Sequence, residues 1–393
     1  VVVKALLVPK VLTELNERGI KNVLLISSGF AEVGQEGKSL QDEISGFCRA
    51  HDIVLMGPNC LGFINPPASA CVFAGGSVEG RVLSGGIGVI AQSGAASEVM
   101  VSKLLKKSLG ISLYVTTGNE AVLTIEDCLE YLVHEEHTKV ITAFIEGFRD
   151  VDRLKCIARK AAEKGVPIVL IKVGRSSQAR QAAQSHTGAM AGNDEVLDGF
   201  FRQWGIIRVD SIEELAETAN LLARCPLPAG DGFGLCTLSG GLCGMYADLC
   251  HQYGISVPSL APATVARLES LLPDFAQPNN PLDLTGAGFF HGMEAILEAL
   301  IADPNLDIIA PLSIPPAHAD DALAHNLNEA FLGLMHSSPK PLVPIAFREV
   351  GDHARAYYHD HGVAYIEHPE LGFKAIAHLM EYAAFQRRIK AGV

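Results

Sequence analysis

Two long stretches of this chain repeat one another, and the repeat constrains the fold more than any single motif does. Gly88-Val-Ile-Ala-Gln-Ser-Gly94 matches Gly234-Leu-Cys-Thr-Leu-Ser-Gly240, and each runs through a helical stretch to Gly-Ile-Ser, at Gly110 and Gly254. Asn119-Glu-Ala-Val-Leu-Thr124 matches Asn280-Pro-Leu-Asp-Leu-Thr285, and the run Pro167–Ile171 matches Pro341–Ala346. The segment from Gly205 to Leu215 matches that from Gly362 to Leu371. Matches that keep one order predict two copies of one fold. Short β-branched runs at Val23–Ser27, Asp52–Met56, Ile87–Ala91, Ile111–Val115, Lys139–Ile145 and Pro167–Ile171 alternate with amphipathic helical stretches. That alternation belongs to βα units on a parallel sheet.

The expected fold class is therefore α/β, with two five-stranded flavodoxin-like parallel-sheet domains at 84–225 and 230–390. Pro/Gly-rich breaks at Asn65–Gly86 and Cys225–Gly232 set these boundaries. Residues 1–80 read as the C-terminal part of a Rossmann-like domain. Such a domain starts with a strand and a Gly-rich phosphate turn, which is expected upstream of Val1. The first flavodoxin-like copy carries an insertion between Ile171 and Gly205 that has no counterpart between Ala346 and Gly362. A long loop at the carboxyl end of a parallel strand lies where open α/β sheets bind ligands.

Composition narrows the function. With 48% hydrophobic and 19% charged residues, the chain is not disordered. A net charge of −13 with no block of Lys or Arg argues against nucleic acid and against a membrane surface. No apolar run reaches the ~18–20 residues of a membrane span. The nine cysteines form no Cys-x-x-Cys pair, so reduced thiols, a cytoplasmic location and no metal site are expected.

Gln92-Ser93-Gly94-Ala95 and Leu238-Ser239-Gly240-Gly241 each lead from a strand into a helix. Such turns aim backbone N–H groups and the positive helix end at one point, which suits a phosphate. Close strand–helix packing also wants small residues, but two matched turns favour the phosphate. Neither is a Walker A loop, since no Gly-Lys-Ser/Thr follows.

His186 lies in the insertion, within Ser185-His-Thr-Gly188, and follows Lys172, Arg175 and Arg180 in an otherwise acidic chain. A histidine nucleophile needs a partner on its second ring nitrogen. Glu146, at the end of Phe144-Ile-Glu-Gly147, is the candidate; its alternative is a solvated strand-end carboxylate. Asn59 could border a nucleotide-like ligand, whereas Cys60 reads as a small buried residue. His318, His353, His359, His361 and His368 lack metal-ligand spacing and read as surface or structural. No Gly-x-Ser-x-Gly elbow supports a serine hydrolase, and no Gly-x-Gly-x-x-Gly turn supports a nicotinamide-dependent oxidoreductase.

Together these residues resemble the NDP-forming (ADP-forming) acyl-CoA synthetases of the succinyl-CoA synthetase superfamily, along nearly the whole chain. Gly57-Pro-Asn-Cys-Leu-Gly62 looks like the segment closing the family's CoA-binding domain, and Gln92-Ser-Gly-Ala95 like its phosphate turn. Thr117-Gly118-Asn119 is similar to its Gly-Asn loop, Glu146-Gly147 to its strand-end Glu, and Ser185-His186-Thr187-Gly188 to its phosphohistidine loop. Asn280-Pro-Leu-Asp283 is similar to its NPxD motif.

The resemblance implies a three-stage reaction through an acyl phosphate and a phosphohistidine at His186, oriented by Glu146. It also implies phosphate binding at Ser93, Gly94, Ala95, Ser239, Gly240 and Gly241, and CoA binding at Pro58, Asn59 and Cys60. Gly118, Asn119, Ser185, Thr187 and Gly188 would line the phosphohistidine loop. The implied substrates are CoA, ATP/ADP, phosphate and a small carboxylic acid. An ATP-grasp domain or β subunit with Mg2+ is the expected partner, in an oligomer. The alternative is a non-catalytic acyl-CoA-sensing module, as in protein acetyltransferases with a degenerate synthetase region. The carrier histidine is typically replaced in those relatives, and here His186 is present.

Overall fold

The computed structural model describes residues 1–76, 82–176, 178 and 194–392. They divide into two compact units, Val1–Ala219 and Asn220–Val393.

The first unit opens with α1 (Val8–Glu17), β1 (Asn22–Leu24), α2 (Gln35–Ala50) and β2 (Val54–Met56). β1 and β2 pair in parallel, with Val23 opposite Leu55. Val8 and Leu12 on α1, and Ile44 and Cys48 on α2, are the apolar stripes buried against Val23, Leu25 and Leu55. Both outer edges of this small sheet are occupied. Ile26 N donates to Val1 O at 3.1 Å on one side, and Leu123 N to Leu55 O at 3.0 Å on the other.

The chain then enters a larger sheet through β3 (Gly62–Asn65), β4 (Ala70–Phe73), β5 (Ser84–Ala91), α3 (Gly94–Lys106), β6 (Ile111–Thr116), α4 (Ile125–His134), β7 (Val140–Ile145), α5 (Val151–Lys164), β8 (Ile168–Lys172), α6 (Asp194–Gln203), β9 (Ile206–Arg208) and α7 (Ile212–Arg224). Its seven strands run in the order β4-β3-β6-β5-β7-β8-β9. All six strand-like runs read from the sequence are strands. The expectation of a purely parallel sheet needs correction, because the β3–β4 hairpin pairs antiparallel on β6. Its Pro66-Pro67 turn made this stretch look like a linker. The hairpin gives β6 the partner that a bare edge strand lacks, and Thr116 Oγ1 secures it by accepting from Leu61 N at 2.8 Å.

Leu129, Leu132 and Val133 on α4 and Leu154, Ile157 and Ala161 on α5 bury one face of β5, β6 and β7. Trp204 and Phe200 pack at the margin of this core, beside the buried Phe201. The helix starts are well defined. Thr124 and Asp127 form a capping box on α4, and Asp150 caps α5 by accepting from Arg153 N at 2.8 Å.

The second unit contains β10 (Phe233–Thr237), α8 (Gly240–Gln252), α9 (Pro262–Leu271), β11 (Leu282–Asp283), α10 (Thr285–Ala302), β12 (Ile308–Ser313), α11 (Ala322–Ser337), β13 (Ile345–Ala346), α12 (Asp352–Asp360) and α13 (Pro369–Ala391). The parallel order is β11-β10-β12-β13, and a bridge from Ile345 to Ile366 adds a fifth position. That is the order of β6-β5-β7-β8-β9, as the internal repeat predicts. Among the described residues no helix is long and apolar enough to cross a membrane.

Candidate active site

The strands β5, β6, β7 and β8 end on the same side of the first unit's large sheet, and the motifs at Gln92–Ala95, Thr117–Asn119 and Glu146–Gly147 follow three of these strand ends. Past β5, Ser93 keeps an extended backbone and caps α3, its Oγ accepting from Ala96 N at 3.4 Å. Gly94 and Ala95 begin the helix. Their N–H groups belong to the first turn, which has no intrahelical acceptors, and the positive helix end adds to their pull on an anion.

Glu146 follows the adjacent strand β7. Its backbone is held from two sides: Glu146 N donates to Gln92 Oε1 at 2.5 Å, and Glu146 O accepts from Lys172 Nζ at 2.9 Å. Lys172 is buried, and burial together with the Arg208 guanidinium lowers the pKa of its ammonium. Its Nζ also donates to Val173 O at 2.6 Å, so it serves the strand ends rather than standing open to an anion. Arg175 pairs with Asp210 at 3.0 Å. His186, Ser185, Thr187, Gly188 and Arg180 lie outside the described residues.

The Gly-Asn loop after β6 interlocks with the Gly57–Gly62 segment. Asn119 N donates to Pro58 O at 2.9 Å, and Ala121 N donates to Gly57 O at 2.9 Å. Gly118, at φ +61°, leaves room for Pro58 O. Asn59 is exposed, and its Nδ2 donates to Asn119 Oδ1 at 3.2 Å. Asn119 Nδ2 donates in turn to Glu32 Oε2 at 2.5 Å and Gln41 Oε1 at 3.0 Å. Pro58 and Cys60 are buried. Burial pushes the Cys60 thiol up to about 11, as a packing residue rather than a nucleophile requires.

Sequence reasoning passed over the polar network beneath these loops. Glu120, Gln92 and Arg149 tie the three strand ends together. Glu120 Oε1 accepts from Gln92 Nε2 at 2.9 Å and Thr117 Oγ1 at 2.9 Å, and its Oε2 from Arg149 Nε at 3.1 Å. Burial pushes the Glu120 carboxyl above its ordinary value, while the Gln92 hydrogen bond and the Arg149 charge pull it down. The available signals were a Gln directly before the Ser-Gly turn and an Arg shortly after the strand-end Glu.

In the second unit, Ser239 stands at the start of α8 in extended conformation, with Gly240 and Gly241 exposed beside it. Asp283 borders the turn: a Cβ on Gly240 would lie 3.3 Å from its Oδ2. Asp283 Oδ1 accepts from Thr285 N at 3.0 Å. Among the described residues no three His, Cys, Asp or Glu side chains are grouped to hold a metal ion.

Residues 84–222 match the family model of the succinyl-CoA ligase like flavodoxin domain. Over 99% of its length the chain is 30% identical to the acetate–CoA ligase [ADP-forming] I subunit alpha of Pyrococcus furiosus, and it covers 83% of that subunit. The chain belongs to the ADP-forming acyl-CoA ligases. Within these acid–thiol ligases it is α-subunit-like. It is 35% identical over 73% of its length to the acetate–CoA ligase [ADP-forming] of Methanocaldococcus jannaschii, but spans only 40% of that longer protein. Among solved structures it resembles the dinucleotide forming acetyl-coenzyme A synthetase 1 of Ca. Korarchaeum cryptofilum in complex with phosphate and ADP. That match has a TM-score of 0.86 at 25% identity and covers all of this ligase chain and 83% of the other.

Proposed function

We propose that this chain carries the acyl- and phosphoryl-transfer part of an ADP-forming ligase, interconverting acyl-CoA, phosphate and ADP with carboxylic acid, CoA and ATP. Phosphate attacks the thioester carbonyl; the C–S bond breaks, a C–O bond forms, and CoA leaves to give an acyl phosphate. A ring nitrogen of His186 then attacks phosphorus. The N–P bond forms, the acyl O–P bond breaks, and the carboxylate leaves. ADP takes the phosphoryl group from His186 and becomes ATP.

Glu146 orients the imidazole through the second ring nitrogen and stabilises its charge during transfer. The turn Ser93-Gly94-Ala95 holds the phosphate, and the turn Ser239-Gly240-Gly241 is its counterpart on the second, also flavodoxin-like domain at 230–390. Residues 1–80 are the C-terminal part of a Rossmann-like CoA-binding domain, in which exposed Asn59 faces the ligand and buried Pro58 and Cys60 shape its loop. Gly118 and Asn119 support that loop from below. An ATP-grasp domain or β subunit supplies the nucleotide and Mg2+, in an oligomer.

The observation that supports this reading is the hydrogen bond from Glu146 N to Gln92 Oε1 at 2.5 Å, which ties the backbone of the strand-end Glu to the residue that precedes the Ser-Gly turn. The α-subunit relative and the phosphate- and ADP-bound relative support the substrates and partner. The test incubates the protein with 32P-labelled acetyl, propionyl, butyryl and benzoyl phosphate. An acid-labile, alkali-stable label is expected with at least one donor, and none in His186→Asn. Label that persists in His186→Asn, or no label from any donor, overturns the assignment.

A further inference from the structure

We infer that Gln92 is a positioning residue of the transfer site, its carboxamide fixing the Glu146–Gly147 peptide and thereby the direction of the Glu146 carboxylate. The inference rests on the roles proposed above for His186 and Glu146.

The carboxamide is buried and every bonding position is used. Gln92 Oε1 accepts from Glu146 N at 2.5 Å and Gly147 N at 3.1 Å. Its Nε2 donates to Gly147 O at 2.9 Å and Glu120 Oε1 at 2.9 Å. Only one orientation of the amide satisfies these partners, because the Gly147 carbonyl can only accept and the two backbone amides can only donate.

Glu120 fixes that orientation. It adopts φ +58°, a left-handed conformation that a non-glycine residue keeps only where its surroundings over-determine it. Here Thr117, Arg149 and Gln92 all bond its carboxylate. Arg149 also donates to Asn119 O at 2.8 Å, which ties this anchor to the Gly-Asn loop. Packing alone would be met by Leu or Met at position 92. The polar side chain gives direction to a peptide whose other end is tied by Lys172. In metal sites, outer partners that orient a ligand typically cost 10–100-fold in affinity or activity when removed, and the same order is expected for a partner that orients a catalytic carboxylate.

The test measures single-turnover phosphoryl transfer to the protein from whichever acyl phosphate labels the wild type. Gln92→Met should lower the rate constant of the folded protein 10–100-fold with half-saturation by the donor little changed. Its thermal midpoint should fall, because the variant leaves buried partners of the amide unpaired. Gln92→Glu supplies a readout that a packing role would not move. When protonated, the new carboxylic acid can accept from the two amides and donate its one hydrogen to Glu120, giving up only the amide's second donation, to Gly147 O. When ionised, it opposes the Glu120 carboxylate. Its rate relative to wild type should approach unity at acid pH and fall tenfold or more as pH rises. Wild-type rates in both variants, or losses explained wholly by a smaller folded fraction, overturn the inference. Label persisting in the parallel His186→Asn control would instead overturn the underlying reading.

Discussion

Pro58 O occupies the space that a side chain at Gly118 would need: a Cβ built there lies 2.2 Å from this oxygen and 2.5 Å from Asn59 O. Gly118 also sits at φ +61°. Strain and backbone collision therefore act together, and neither loop can withdraw without breaking the Asn119 N to Pro58 O bond. Gly118→Ala should cost about 3 kcal/mol by chemical denaturation, near the top of the ordinary range for one substitution. Gly165, which ends α5 at φ +70°, has nothing within 4 Å of a built Cβ. There the left-handed backbone alone should cost about 1–2 kcal/mol. Equal losses at the two positions would refute the collision argument.

A second prediction concerns α3 and α7. Lys107 Nζ and Glu217 Oε1 pair at 2.5 Å, with side chains only 10% and 3% exposed. Removing one partner leaves the other charge buried, at about 3–5 kcal/mol. Lys107→Met and Glu217→Leu should each destabilise by that order, and the double variant by much less than their sum. A double-variant cycle with additive losses would show that the pair is not coupled.

Strand periodicity and the internal repeat made the parallel strands of the two larger sheets legible, because βα units show both alternation and order in the chain. The hairpin from Gly62 to Phe73 was not legible: its strands are short, and Pro66-Pro67 suggests a linker until Thr116 and the open edge of β6 are seen to need it. Candidate site motifs could be singled out because small residues and a lone Ser or Asn suggest their chemistry by their type. The Gln92–Glu120–Arg149 network was hidden for the opposite reason. Its residues are ordinary polar types far apart in sequence, and only burial at the strand ends gives them a common role.

The cysteines give a third prediction. Cys71 and Cys156 are exposed, whereas Cys48, Cys60 and Cys128 are buried. Burial pushes the Cys48 and Cys60 thiols up to about 11, so few of them are thiolate at neutral pH. Iodoacetamide on the native protein should modify Cys71 and Cys156 first and leave the three buried thiols intact until denaturant is added. Peptide mapping by mass spectrometry gives the order. Early modification of Cys60 would contradict its placement as a packing residue against Leu25 O.

Acid sensitivity supplies the fourth prediction. Hydrogen bonds from Arg153 and Lys160 hold the Glu130 carboxyl down at about 2, against an ordinary 4.5. A carboxyl depressed on folding stabilises the native state at pH values above its unfolded pKa. That contribution fades as pH falls from 4.5 through about 2, because the unfolded chain takes up the proton first. The group is partly solvated, so its share is modest and screened by salt. Glu130→Gln has no proton to take up in either state. Its stability, followed by urea denaturation between pH 5 and pH 2.5, should therefore fall less steeply than that of the wild type, and the difference should shrink at high salt. Parallel slopes would mean that the three-way contact of Glu130, Arg153 and Lys160 does not persist in solution.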